Sequence, residues 1–167
     1  MSWVYHSRIP RPCCFSAATT TINGDVILTG SLHPFVSLKC YKTYCYYGGG
    51  GSTPYRGSEV YNDCYFLSRD HSRFWMTGVV PPLVQKRCGH SCLTLLDGSV
   101  VVLGGYAGDF DYLPSIERLD FSTSQWLPLP PMSVPRSGPA AVIGPGGAIY
   151  VAGGSPDGRV GHKSLER

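Results

Sequence analysis

Apolar residues along this chain gather in short runs, each closed by turn residues. From Arg87 to Gly105 the order is Arg-Cys-Gly-His-Ser-Cys-Leu-Thr-Leu-Leu-Asp-Gly-Ser-Val-Val-Val-Leu-Gly-Gly. Two apolar runs flank Asp97-Gly98, a pair that favours a two-residue hairpin turn with positive φ at both central positions. The pattern predicts a strand, a tight turn and a second strand. The second run, Val100 to Leu103, is unbroken and mostly β-branched, which predicts burial on both faces. It ends in Gly104-Gly105, where no side chain obstructs a close backbone approach.

The hairpin recurs. Arg136 to Gly154 repeats its layout at a spacing of 49: Arg87 maps to Arg136, Gly98 to Gly147, and Gly104-Gly105 to Gly153-Gly154. Ile22 to Ser31 is a weaker third copy, with Asn23-Gly24 at the turn and Gly30-Ser31 in place of two glycines. A second element recurs between the hairpins. Ser115 to Trp126 and Asn62 to Trp75 each read as an alternating strand, a polar turn and a Trp that opens a fourth strand. A Pro-rich segment then leads to the next Arg. The repeating unit is therefore four strands.

Composition supports strands over helices. The 167 residues include 21 Gly and 14 Pro with only 15% charged residues, and no window of a dozen keeps a helical apolar period unbroken. The net charge of +3 is spread singly or in pairs, so nothing in it favours nucleic acid. No run approaches the roughly 18 apolar residues of a membrane helix, and the first residues lack the apolar core of a signal peptide. A cytoplasmic protein is the expectation. The seven cysteines are irregularly spaced and are expected as reduced thiols, with Cys88 and Cys92 on the first strand of the hairpin.

A period near 50, strands ending in Gly-Gly, a third strand of the Asn-Asp-x-Tyr-x-Leu type and a spaced Trp together resemble the kelch repeat. Kelch repeats are the four-stranded antiparallel blades of β-propellers. The resemblance implies an all-β fold, an incomplete ring of about two and a half blades. Residues 1–10 are then the fourth strand of a preceding blade. A blade spans 11–79 with a long loop insertion at 32–57, a second spans 80–131, and a partial one spans 132–167. The structural repeat positions are Arg87, Gly89, His90, Gly98, Gly104, Gly105, Trp75, Trp126, Arg136, Gly153 and Gly154, with a hydrogen-bonding role implied for His90. An apolar blade face of several hundred Å² left open forgoes on the order of 10 kcal/mol of burial at about 25 cal/mol per Å². This predicts a piece of a longer protein, or self-association or further kelch blades to close the ring.

In such a blade the loops joining strands two and three emerge on the face opposite the tight turns. Here they are 32–57, 106–114 and 155–163. The first carries Tyr41, Tyr44, Tyr46, Tyr47, Tyr55 and Arg56; the second carries Tyr106, Asp109, Phe110, Asp111 and Tyr112. Tyr and Arg commonly anchor protein interfaces, and loops on a rigid scaffold commonly carry recognition. This face is the expected site for a protein or peptide ligand.

Catalytic candidates fare worse. Gly48 to Gly51 lacks the Gly-Lys-Ser/Thr ending of a phosphate loop and reads as a linker. Cys88, His90 and Cys92, alternating along one strand face at about 6.5 to 7 Å steps, are too far apart to bind one zinc. No metal, cofactor or catalytic residue is expected. The resemblance implies a non-catalytic interaction module, a substrate-recognition or scaffold part of a larger protein such as a ubiquitin ligase adaptor. The alternative is a fragment of a kelch-propeller enzyme or carbohydrate-binding protein of the galactose-oxidase or sialic-acid mutarotase kind, whose motifs no segment matches.

Overall fold

The structure is a computed structural model that describes residues 16–33, 59–70 and 74–167. These form three antiparallel sheets. The first joins β1 (Ala17–Thr20), β2 (Val26–His33) and β3 (Glu59–Leu67) in that order. The second joins β4 (Ser91–Thr94), β5 (Val100–Leu103), β6 (Ile116–Asp120) and β7 (Gln125–Leu129). The third joins β8 (Ser137–Ile143), β9 (Ile149–Ser155) and the short β10 (Leu165–Glu166). The leading strands lie side by side, β1 against β4 and β4 against β8.

The hairpins form where the sequence places them, with a different turn. Only the glycine takes positive φ, 86° at both Gly24 and Gly98. Gly98 N–H donates to the Leu95 carbonyl and Leu95 N–H to that of Ser99. Three residues therefore cross the turn, and the glycine closes it as a bulge. Asp97 stays out of the left-handed region because its Oδ1 accepts from the Ser99 N–H and hydroxyl. In the third hairpin the turn is a short 3-10 segment, Pro145–Gly147.

β5 is the centre of the packing. Val100 and Val102 face the first sheet and join Ile27, Cys64, Val80, Leu83, Leu119 and Trp126. Val101 and Leu103 face the third sheet and join Met132 and Val151. All four β5 residues have no exposure, as expected for a strand covered on both faces. The Trp126 ring is buried in the first interface and its Nε1–H donates to the Pro81 carbonyl. Trp75 differs from its expected role. Among the described residues the fourth strand of the first sheet is a single bridge between Phe66 and Met76, beside a half-buried Trp75.

The order of the cysteines also departs from expectation. Gly89 takes φ of 59° and turns the chain, so β4 begins only at Ser91. Cys88 pairs with Tyr106 ahead of the strand and packs with Val60 and Tyr112. Cys92 packs instead against the cluster that holds Cys64 and Ile27. Cys88, His90 and Cys92 therefore do not line one strand face. Cys64, Cys88 and Cys92 are free thiols, and burial pushes each up to about 12.

Candidate functional site

Two buried arginines build the base of the loop face. Arg87 has no exposure, and its guanidinium donates to the carbonyls of Gly104 at 2.7 Å and Ser115 at 3.2 Å, the two ends of loop 106–114. It also donates to the Ser115 hydroxyl and pairs with the buried Glu117 carboxylate. Glu117 in turn accepts from the backbone N–H groups of Val84 and Gln85, in the segment that enters this sheet. Arg136 repeats the arrangement 49 residues on, reaching the Gly153 carbonyl, the Ser164 carbonyl and hydroxyl, and Glu166. It clamps the base of loop 155–163. Burial lowers the Arg87 pKa from the usual arginine value, and the charge of Glu117 opposes that shift.

The clamped loops are ordered by their own hydrogen bonds. Leu113 N–H donates to the Gly105 carbonyl, Ala107 N–H to that of Asp111, and Asp111 N–H to that of Gly108. The rings of Tyr106 and Tyr112 meet at 5.0 Å between centroids, and the Tyr106 hydroxyl accepts from the Phe110 N–H at 3.3 Å. At the tip Asp109 and Phe110 both take positive φ, 50° and 65°. A non-glycine residue held there costs about 1–3 kcal/mol, and such strain concentrates at functional sites. Phe110 is 66% exposed between the exposed Asp109 and Asp111.

Loop 155–163 sits against it. A Cβ on Gly158 would stand 2.4 Å from the Tyr112 hydroxyl, so the two loops are in contact. Asp157 holds this loop by accepting from the N–H groups of Val160 and Arg159, which depress its pKa below the usual carboxylate range. The exposed Val160 and Arg159 extend the surface that Phe110 begins. Sequence reasoning had placed the loop on this face without singling these two out. The signal was their offset of 49 from Phe110 and Asp111, which are also exposed.

The structure thus brings Tyr106, Asp109, Phe110, Asp111 and Tyr112 together, with the two tyrosines as supports inside the loop. Tyr41, Tyr44, Tyr46, Tyr47, Tyr55 and Arg56 lie outside the described residues. The glycines serve close approach. A Cβ on Gly104 would meet the Arg136 carbonyl at 2.4 Å, and one on Gly30 the Arg87 carbonyl at 2.3 Å. Each arginine's backbone therefore packs on a glycine of the preceding sheet.

His90 joins the first two sheets. Its Nε2 lies 2.8 Å from the Thr29 hydroxyl, which also donates to the Ala17 carbonyl, so the ring donates from Nε2. Burial, and then the charge of Arg87, lowers its pKa to about 3. A ring held neutral in this way is a structural link. Among the described residues no group of three His, Cys, Asp or Glu side chains could hold a metal ion.

Residues 86–133 match the family model of the kelch motif. This chain carries a kelch repeat. The match spans the second sheet with its entering Lys86 and Arg87 and its exit through Met132. The kelch repeat accounts for the four-stranded antiparallel blade seen there, and the three-stranded antiparallel sheets on either side are consistent with blades of the same kind; among the described residues the ring is not closed. No curated protein matches the chain. Among the described residues no helix is long and apolar enough to cross a membrane.

Proposed function

We propose that this chain is a non-catalytic kelch module that binds a protein or peptide partner through the face carrying loops 106–114 and 155–163. In that role it serves as a substrate-recognition or scaffold part of a larger intracellular protein. The observation that carries the reading is Phe110, an aromatic side chain held exposed in the left-handed region, at the tip of a loop clamped at its base by Arg87. A protein that needed only to close this loop would place glycine or asparagine there.

The chemistry of the face defines the ligand. Phe110 and Val160 offer two apolar contacts, with Asp109 and Asp111 beside the first and Arg159 beside the second. The fitting partner carries an apolar anchor flanked by a basic group. The test is a pull-down from cell lysate comparing the unaltered chain with the double variant Phe110→Ser, Val160→Ser. The reading predicts loss of specific partners at unchanged melting temperature, since both side chains are exposed. An unchanged partner set would remove it.

A further inference from the structure

At the end of the first two sheets opposite the loop face lies a cavity of about 870 Å³. The β1–β2 and β4–β5 turns meet beside it. A Cβ on Gly98 would stand 3.0 Å from Ile22 Cδ1, so the Ile22 side chain rests on the second turn. Ile22, Val79, Phe121 and Leu127 line the cavity, and each is between 42% and 72% exposed. Large apolar side chains left to solvent around one concavity mark a binding surface.

The charge here is opposite in sign to that of the whole chain. The sequence carries a net +3, yet three carboxylates, Asp25, Asp97 and Asp120, line the cavity with one guanidinium, that of Arg118. Arg118 pairs with Asp97 at 2.6 Å. Among the described residues neither Asp25 nor Asp120 has an ion-pair partner. The guanidinium of Arg69, beside Gly24, is directed to the Asn23 carbonyl at 3.5 Å. Hydrogen bonds from Ser122 hold the Asp120 carboxyl below the usual carboxylate range, so it is charged at neutral pH. Closing a hairpin at this end does not require charge, since the third one turns through Pro145–Gly147 with none.

We infer that this cavity binds a small organic cation that joins an ammonium group to an apolar body. The ammonium complements the carboxylates of Asp25 and Asp120, and the apolar body covers Ile22, Val79 and Leu127. Two aromatic rings, Phe66 and Phe121, also line the cavity, and aromatic faces attract ammonium groups. The volume falls within the roughly 300–1,000 Å³ of small-molecule sites, which sets the occupant apart from the protein partner of the loop face. The two sites lie at opposite ends of the sheets and act independently.

The test titrates the chain with benzyltrimethylammonium and follows the backbone amides by NMR. The proposal predicts saturable shifts at Asp25, Gly98 and Ser122, none of them produced by benzoate, and weaker binding at high salt. In the double variant Asp25→Asn, Asp120→Asn the dissociation constant is expected to rise at least about tenfold. The melting temperature is expected to stay nearly unchanged, because an amide oxygen still accepts from the Arg69 N–H and from Ser122 as each carboxylate does. Leu127→Ser is expected to weaken binding as well, which pairing with the carboxylates alone would not produce. The absence of saturable shifts, equal shifts with benzoate, or a dissociation constant that neither variant moves overturns the proposal.

Discussion

Arg87 carries its charge into a site with no exposure, where both terminal guanidinium nitrogens are met at close range and only Nε is left without a partner. Two carbonyls, a hydroxyl and a carboxylate with 5% exposure surround the guanidinium. Removing one member of such a pair strands the other charge, at about 3–5 kcal/mol. Arg87→Ala is expected to cost that much in urea unfolding. Arg136→Ala is expected to cost measurably less, since its partner Glu166 keeps 21% exposure and can return to water. The recurrence of arginine at 49 residues was plain in the sequence, and so was the alignment of Ser115-Ile-Glu with Ser164-Leu-Glu. Their meaning was not, because Ser115 and Glu117 lie 28 and 30 residues from Arg87 and only the blade's topology brings them to it. His90 provides a second prediction at this scale. Its pKa is near 3 in the fold and near 6.5 when the ring is exposed, so the unfolded state binds more protons between these values. Its contribution is fully present above about pH 6.5 and falls by up to about 1.4 kcal/mol per pH unit below it. Urea titrations at pH 7 and pH 5 are expected to show this slope, and His90→Gln is expected to flatten it. Equal slopes in both proteins would mean that the ring stays accessible to protons.

Strands were the most legible elements. The run Val100 to Leu103 predicted a strand buried on both faces because no exposed strand repeats large apolar residues without alternation. The turn type was not legible. Asp97-Gly98 admits two hairpin geometries, and the choice rests on the Ser99 hydroxyl and N–H, which hold the Asp97 carboxylate. The placement of Cys88 was missed for a related reason. A glycine inside an apparent strand can continue it or turn it, and Gly89 turns it. Glycines also separate two energetic roles that look identical in sequence. Gly104 and Gly138 both take φ of 69°, yet a Cβ on Gly104 would meet the Arg136 carbonyl at 2.4 Å and one on Gly138 meets nothing within 4 Å. Gly138→Ala is expected to cost about 1 kcal/mol of backbone strain. Gly104→Ala is expected to cost at least about 2 kcal/mol more, because a sheet–sheet contact must open. Thermal melts of the two variants check the difference, and similar melting temperatures would show that the sheets yield freely.

At the scale of the whole molecule, the three sheets act as a stack in which each buried arginine ties a sheet to the loop it presents. The repeat and its loop faces were readable from spacing alone. The loop surface was readable only in part. Phe110 and Asp111 stood out by residue type, whereas Val160 and Arg159 became visible once Gly158 was found against Tyr112. Recognition by the loop face is the central claim, and site-specific photo-crosslinking tests it most directly. A photoreactive phenylalanine analogue is placed at position 110 on the loop face and, as a control, at the exposed Phe121 on the β6–β7 turn, at the opposite end of the second sheet. The account predicts that position 110 yields discrete adducts whose formation Val160→Ser abolishes, and that position 121 yields none. Adducts at position 121 with none at position 110 would contradict it.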